Sequence, residues 1–372
     1  MAKRHFAVMG AGEVGCHLAR TLSAEGHRVT LIDNNPDKRR LVEDQLDVGF
    51  VLGNGSHMPT LEAADVASCE LFVAASSQDE ANLAASLLAK RVGAQKTVVR
   101  VSKSEDVTRY SEIYESAFEA DLLLSTQLLT TTRILNSVLG YNTLEVEYLA
   151  GGAIQVRTIR VEADSPLHKK RLADIDLPRG SLILAFISHG QVRVPSGNDH
   201  AEPGDDALIL GMSDVIDEVE RRVSRDAQRI GQVVIAGGGE TAEAVAAGLE
   251  RSTNSIRIIE SSRSRAEDLA ARYPQYDIVH GDATDSSVLA SERVQKARAF
   301  IALTGHDEKN LMACLLAQEL GVPKITALVQ KTETSSLWRK VGLVDVISPR
   351  TIAAERISNY IANHYEPHIL SF

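Results

Sequence analysis

Residues 7–15 read AVMGAGEVG, an apolar run followed by glycines and then the start of a helix-like pattern. The spacing Gly10-x-Gly12-x-x-Gly15 is the fingerprint of a strand–turn–helix that receives a pyrophosphate. The first glycine allows the tight turn, the second lets a phosphate approach the backbone, and the third permits close packing of helix on strand. The helix N-terminus then offers unpaired N–H groups and a positive dipole end. Residues 233–242, VVIAGGGETA, repeat the phrase in the middle of the chain.

The repetition extends well beyond the glycines. Gly10, Gly12 and Asp33 recur as Gly237, Gly239 and Glu260, each 227 positions later. GNGS (53–56) recurs as GDAT (281–284), and DEANLAASLLAKRVG (79–93) as DEKNLMACLLAQELG (307–321), each 228 later. The chain therefore contains two copies of one module, with a period too long for a solenoid.

Within the first copy, strand-like runs HFAVMG, RVTLID, VGFVLG, ELFVAA, TVVRV and a short LLL alternate with segments of helical spacing. The second copy repeats the order with QVVIAG, IRIIES, YDIVHG, AFIALT and ITALVQ. Such alternation predicts parallel sheets with right-handed crossovers and helices on both faces. Residues between the copies differ: LEVEYLAGGAIQVRTIRV alternates apolar and polar residues around a glycine turn, and SLILAFISHGQVRV signals a second hairpin at His189-Gly190. The fold expected is α/β, two Rossmann-like doubly wound parallel sheets with an intervening small α+β domain. The boundaries read are 1–143, 144–225 and 226–372. The helical segment STQLLTTTRILNSVLG (125–140) packs either within the chain or against another copy.

The candidate site residues follow from the fingerprint. Asp33 ends the second strand, 18 residues beyond Gly15, where a carboxylate accepts ribose hydroxyls and repels a 2′-phosphate. The competing reading makes Asp33 the start of the turn DNNP. Asn54, Gly55 and Ser56 stand where an adenine edge is read, and Ala75, Ser76 and Ser77 lie at the carboxyl edge of the sheet. Asp79 is read as a helix N-cap, with Asn82 facing the same mouth. Arg100 is a charge inside an apolar strand and needs either a phosphate or an acidic neighbour such as Glu119. In the second copy the corresponding set is Gly237, Gly238, Gly239, Glu240, Thr241, Glu260, Asp282, Ala283, Thr284 and Thr304, with Ala242 for the third glycine. Leu328 replaces the arginine, which leaves open whether the second site is filled or takes the same ligand.

Other classes are disfavoured. A net charge of −10 and 4% aromatic residues argue against nucleic-acid platforms and anionic lipid surfaces. The basic stretch RRVSRDAQR (221–229) reads as a solvated helix end running into a linker. Three scattered cysteines suggest neither disulfides nor zinc and fit a reducing cytoplasm. No apolar run approaches the roughly 18 residues of a membrane span. His189 and His200 fall in predicted turns, and His306-Asp307-Glu308 reads as a helix cap rather than a metal site. No catalytic constellation is visible.

The combination GAGEVG, LIDNN, GNGS, VAASSQDEANL and VVRV resembles the nucleotide-binding half of an RCK (regulator of potassium conductance) domain. The segment SPLHKKRLADIDLPRGSLILAFISHGQVRVPSGNDHAEPGDDALILG is similar to that domain's ligand-sensing half. Their order resembles the tandem regulators of bacterial Trk-type potassium uptake. The resemblance implies a non-enzymatic, cytoplasmic regulator, peripheral on the inner face of the plasma membrane and assembled as a homo-oligomeric ring beneath a membrane-embedded potassium channel or transporter subunit. NAD(H), ATP or ADP would gate that partner, with Gly10, Ala11, Gly12, Glu13, Val14, Asp33, Ser76, Ser77 and Arg100 in contact with the nucleotide. The family pattern includes a second small domain after the second nucleotide fold, whereas this chain ends at NYIANHYEPHILSF, as a truncated or shortened relative would. A saccharopine-dehydrogenase-like oxidoreductase shares the glycine-rich start, but such an enzyme needs one cofactor site, not a repeat. A regulator of another cation transporter is the remaining alternative.

Overall fold

The strand runs of the first copy form β1 (His5–Met9), β2 (Arg28–Asp33), β3 (Gly49–Leu52), β4 (Leu71–Ala74), β5 (Lys96–Val101) and β6 (Leu122–Ser125). They appear in a computed structural model that describes residues 3–141, 143–150, 152–188, 191–224, 230–330 and 345–362, together with 338, 340 and 342. All pair in parallel, in the order β3-β2-β1-β4-β5-β6, so strand order reverses between β1 and β4. β1 is buried along its whole length, which is why it reads as a continuous apolar run. Its alternate residues serve two cores. Phe6 and Val8 pack with Leu18, Leu22 and Val73, while Ala7 and Met9 pack with Ile32, Leu61, Phe72 and Ala89.

The segment between the copies forms an antiparallel sheet of β7 (Thr143–Leu149), β8 (Ile154–Arg160), β9 (Ser181–Ser188), β10 (Gln191–Arg193) and β11 (Asp206–Met212), ordered β10-β9-β11-β8-β7. The helix Ile216–Val223 buries Ile216, Val219 and Val223 against Ile183, Phe186 and Ile209. The expected turn residues His189 and Gly190, Gly151 of the first hairpin, and Arg225 and Arg229 of the linker lie outside the described residues.

In the second copy β12 (Ile230–Ala236), β13 (Thr253–Glu260), β14 (Asp277–His280), β15 (Ala299–Ala302), β16 (Ile325–Leu328) and β17 (Asp345–Ile347) take the order β14-β13-β12-β15-β16-β17, matching the first sheet strand for strand. β17 was not expected from the sequence.

Among the described residues, one compact unit runs from the N-terminus to Leu129 and resumes at Pro349, and the other comprises Thr130–Ser348. In the first, the helix Pro349–Ala362 sets Ala353, Ala354, Ile357 and Tyr360 into the core lined by Val14, Leu18 and Leu22 of the helix Glu13–Ala24. In the second, residues 130–139 complete the helix Thr126–Leu139: Leu135 lies against Gly248, and Ser137 bonds to Thr326 at 3.1 Å and to Asp345. This stretch of the 125–140 helix thus packs within the chain.

Candidate functional site

The first glycine loop occupies the carboxyl end of β1, where the strand order reverses and open α/β sheets leave a crevice. Gly10 sits at φ +103°, and a Cβ there would fall 2.9 Å from the Ser76 nitrogen, so only glycine fits. A Cβ on Gly15 would lie 1.9 Å from the Gly10 carbonyl oxygen, which is the close packing its position implies. Gly12 has nothing within 4 Å of its missing Cβ. It caps the helix Glu13–Ala24 without a side-chain bond, leaving an open approach to the helix N-terminus.

Asp33 joins the glycine loop to the turn that follows β2. Its Oδ2 accepts from the Ala11 N–H at 2.7 Å and its Oδ1 from the Asn35 N–H at 2.8 Å. One carboxylate therefore pins the glycine loop and opens the turn, and each oxygen keeps a lone pair for a ribose hydroxyl. Val14 is buried, Glu13 half-buried and Ser77 exposed. Beside them, Asn54 Oδ1 accepts from the Ser56 N–H at 2.9 Å, and a Cβ on Gly55 would strike the Met9 sulfur. The Ser56 hydroxyl donates to the Ala81 carbonyl at 3.1 Å. Its proton is thereby engaged inside the protein rather than on an adenine edge.

Three expectations around β4 and β5 change. Asp79 is not the N-cap: Gln78 holds that position, and Asp79, the first helical residue, accepts from the Ser102 N–H at 2.8 Å and hydroxyl at 3.0 Å. Asn82 is fully buried instead of facing the mouth. Its Oδ1 accepts from the Ser76 N–H and hydroxyl at 2.9 and 2.7 Å, and its Nδ2 donates to the Ser76 and Arg100 carbonyls at 3.0 and 2.9 Å. Glu119 is not the partner of Arg100, because it pairs with Arg91. Arg100 instead donates from Nη1 to the Ser76 carbonyl at 3.1 Å and, more weakly, toward that of Ala75 at 3.4 Å, while its buried Nε has no partner. Burial lowers its pKa from the ordinary arginine value against the pull of Asp79. A guanidinium held this way retains donor capacity for a phosphate.

The second site rebuilds the same frame. Gly237 has φ +99°, and its missing Cβ would meet the Leu303 oxygen at 2.8 Å. Gly239 caps the helix Glu240–Leu249, in whose first turn Glu240 is exposed and Thr241 half-buried. Glu260 accepts from the Gly238 N–H at 2.6 Å and the Ser262 N–H at 2.7 Å. Thr304 is locked to Asn310 as Ser76 is to Asn82. Asp307, like Asp79, is the first helical residue and accepts from the backbone just beyond the next strand, the Gln330 N–H at 2.8 Å, while His306 holds the N-cap position without a side-chain bond. Asp282 accepts from the Thr284 N–H and hydroxyl at 2.9 and 2.8 Å and pairs with Lys309 at 3.1 Å, with Ala283 buried beside it.

Two chemical differences separate the sites. Buried Leu328 stands where Arg100 stood, with its carbonyl bound by Asn310 at 2.9 Å. Arg265, from the helix Arg263–Arg272, donates through Nε to the Gly238 carbonyl at 2.9 Å and is held by Glu243. Glu243 also pairs with Arg272 at 2.8 Å and accepts from the Tyr273 hydroxyl at 2.7 Å. Burial opposes its ionisation, yet the bonds from Arg272 and Tyr273 and the charge of Arg265 bring its pKa below the ordinary glutamate value. Sequence reasoning missed Arg265, Glu243 and Lys309. Their signal was the repeat itself, which aligns Arg265 with Lys38 and Glu243 with Cys16.

His200 is half-exposed and lies 3.3 Å from Glu202. Among the described residues no group of His, Cys, Asp and Glu is arranged to hold a metal, and no helix is long and apolar enough to cross a membrane.

The chain matches the TrkA-N domain over residues 6–122 and 233–349 and the TrkA-C domain over 156–224. It is 32% identical over 354 residues to the Trk system potassium uptake protein TrkA homolog of Archaeoglobus fulgidus, covering 95% of this chain and 80% of that one. Its fold is shared with the GsuK channel bound to NAD, at a TM-score of 0.65 and 18% identity, over 98% of this chain but only 64% of the channel chain. GsuK bound to ADP superposes with a TM-score of 0.59 at 16% identity, over 98% and 70%. Two TrkA-N domains with one TrkA-C domain between them in sequence, and a relative of this identity along nearly the whole chain, show that the chain belongs to the TrkA family.

Proposed function

We propose that this chain is a nucleotide-responsive regulatory subunit of a Trk-type potassium-uptake system, peripheral on the cytoplasmic face of the plasma membrane. Its modules are taken as 1–143, 144–225 and 226–372. It works as a homo-oligomeric ring on a membrane-embedded potassium-conducting partner and does not itself catalyse a reaction. The observation that carries this reading is the duplicated frame of glycine loop and acidic residue flanking a TrkA-C domain. The name of the Archaeoglobus relative supplies potassium uptake as the process, and the NAD- and ADP-bound forms of GsuK supply the ligand class.

Asp33 at the ribose position favours NAD(H), ATP or ADP over a ligand with a 2′-phosphate. Such a ligand regulates only if it binds one ring state more tightly than the other. A tenfold difference in affinity shifts the equilibrium by about 1.4 kcal/mol per site.

Calorimetric titration of the purified protein tests the reading. NADH, ATP or ADP binds the wild type, and Asp33→Ala weakens binding roughly ten- to a hundredfold, as expected for loss of hydrogen bonds to a charged group. Unchanged affinity in Asp33→Ala removes the assignment. The partner half of the proposal is tested by co-purification with a membrane potassium transporter.

A further inference from the structure

The helix Pro349–Ala362, which follows β17 in sequence, lies alongside the helix Glu13–Ala24. Its second residue, Arg350, forms an ion pair with Glu13, the first residue of the glycine-loop helix. Both side chains keep about two fifths of their surface exposed, at 40% and 38%, so neither is locked by packing. The charge of Arg350 also reaches Arg100, whose protonation it disfavours. Two guanidinium groups thus converge on the mouth of one glycine loop, one from β5 and one from beyond the second sheet in sequence. A polyanion is the chemistry that relieves such a concentration of positive charge.

We propose that Arg350 is a further ligand of the nucleotide at the first glycine loop, held by Glu13 until an incoming diphosphate takes its guanidinium. The inference rests on the reading of this loop as a nucleotide site. Phosphate oxygens at the amides after Gly12 would lie beside the Glu13 carboxylate, an unfavourable pairing of like charges. Arg350 transfers from the carboxylate to the phosphate and offsets that repulsion. It supplies a planar fork of donors suited to two phosphate oxygens. The pair also makes Glu13 a competitor of the ligand. Removing the two members of the pair should therefore change affinity in opposite directions, which a merely structural ion pair would not do.

The test is titration of the full chain with ADP, ATP and NADH, in wild type, Arg350→Gln, Glu13→Gln and Asp33→Ala. Arg350→Gln is expected to weaken binding about tenfold, and Glu13→Gln to tighten it severalfold. Arg350→Lys keeps the charge without the fork and falls between. An equal loss for all three nucleotides places Arg350 on the shared diphosphate and supports the proposal, whereas a loss confined to ATP places it on the terminal phosphate and overturns the diphosphate contact. Binding that depends on Asp33 but is the same in Arg350→Gln and wild type overturns the role of Arg350 and leaves the nucleotide site standing. A wild-type protein that binds none of the three overturns both.

Discussion

Arg100 shows how far single residues were legible. A charge in the middle of TVVRV announced an unusual demand, but its contacts depend on the shape of the turn at Ala75 and Ser76. Sequence offered Glu119 as a counter-ion because it is nearby and acidic. The fold instead turns that carboxylate to Arg91 on the surface. Asn82 is a similar case: its type was noticed, but four hydrogen bonds to Ser76 and Arg100 could not be read before β4 and β5 were adjacent. The second copy supplies a natural control, with Leu328 at the arginine position. Arg100→Leu is accordingly expected to weaken nucleotide binding at the first site about tenfold. Removing a buried Nε without a partner should at the same time leave stability unchanged or raise it by about 1 kcal/mol. Parallel calorimetry and thermal unfolding separate the two effects.

Among the elements, the long apolar strands were legible almost residue for residue, since β2 spans the whole of RVTLID. β17 escaped because it is three residues long, too short to show a period, and is recognisable only as the partner of β16. Pairing of neighbouring elements also creates the acid-sensitive contacts. Asp121, just before β6, accepts from Lys96 and the Thr97 N–H of β5, both at 2.8 Å, and pairs with Lys90 of the preceding helix at 2.6 Å. Burial works against the charge, but the bonds from Lys90, Lys96 and Thr97 prevail and hold its pKa below the ordinary aspartate value. A carboxylate with a lowered folded-state pKa contributes stability above its unfolded pKa, near 3.9 as a reference value, and loses it as pH falls through the folded value. Asp121→Asn should therefore be less stable than wild type at neutral pH, by about 1–3 kcal/mol, with the gap closing below about pH 4. Denaturant titrations at both pH values check this.

At the scale of the whole molecule, the duplication was plain from spacing alone, because glycines, acids and a fifteen-residue helical stretch of sequence recur in register. Which helix completes which core was not. The apolar face of PRTIAAERISNYIA looks like that of any crossover helix, and its burial against Leu18 and Leu22 is a long-range fact. A chain ending at Ser348 would leave Val14, Leu18 and Leu22 without Ala353, Ile357 and Tyr360. Each lost large apolar contact costs on the order of 1–3 kcal/mol. Chains 1–348 and 1–362, compared by thermal unfolding, should differ by many degrees, and an equal midpoint would show that the last helix is dispensable to that core.

The same arrangement has a consequence during translation. The first sheet leaves the ribosome early, but the helix that closes one face of it is the last described element to be made. At roughly 5–20 residues per second, the interval is on the order of tens of seconds. Throughout it, the nascent first module carries an uncovered apolar stripe and a glycine loop without Arg350. Completion of the first-born half is deferred until the second sheet has been made, so a ribosome that stalls before Pro349 releases a product whose defect lies in its first module.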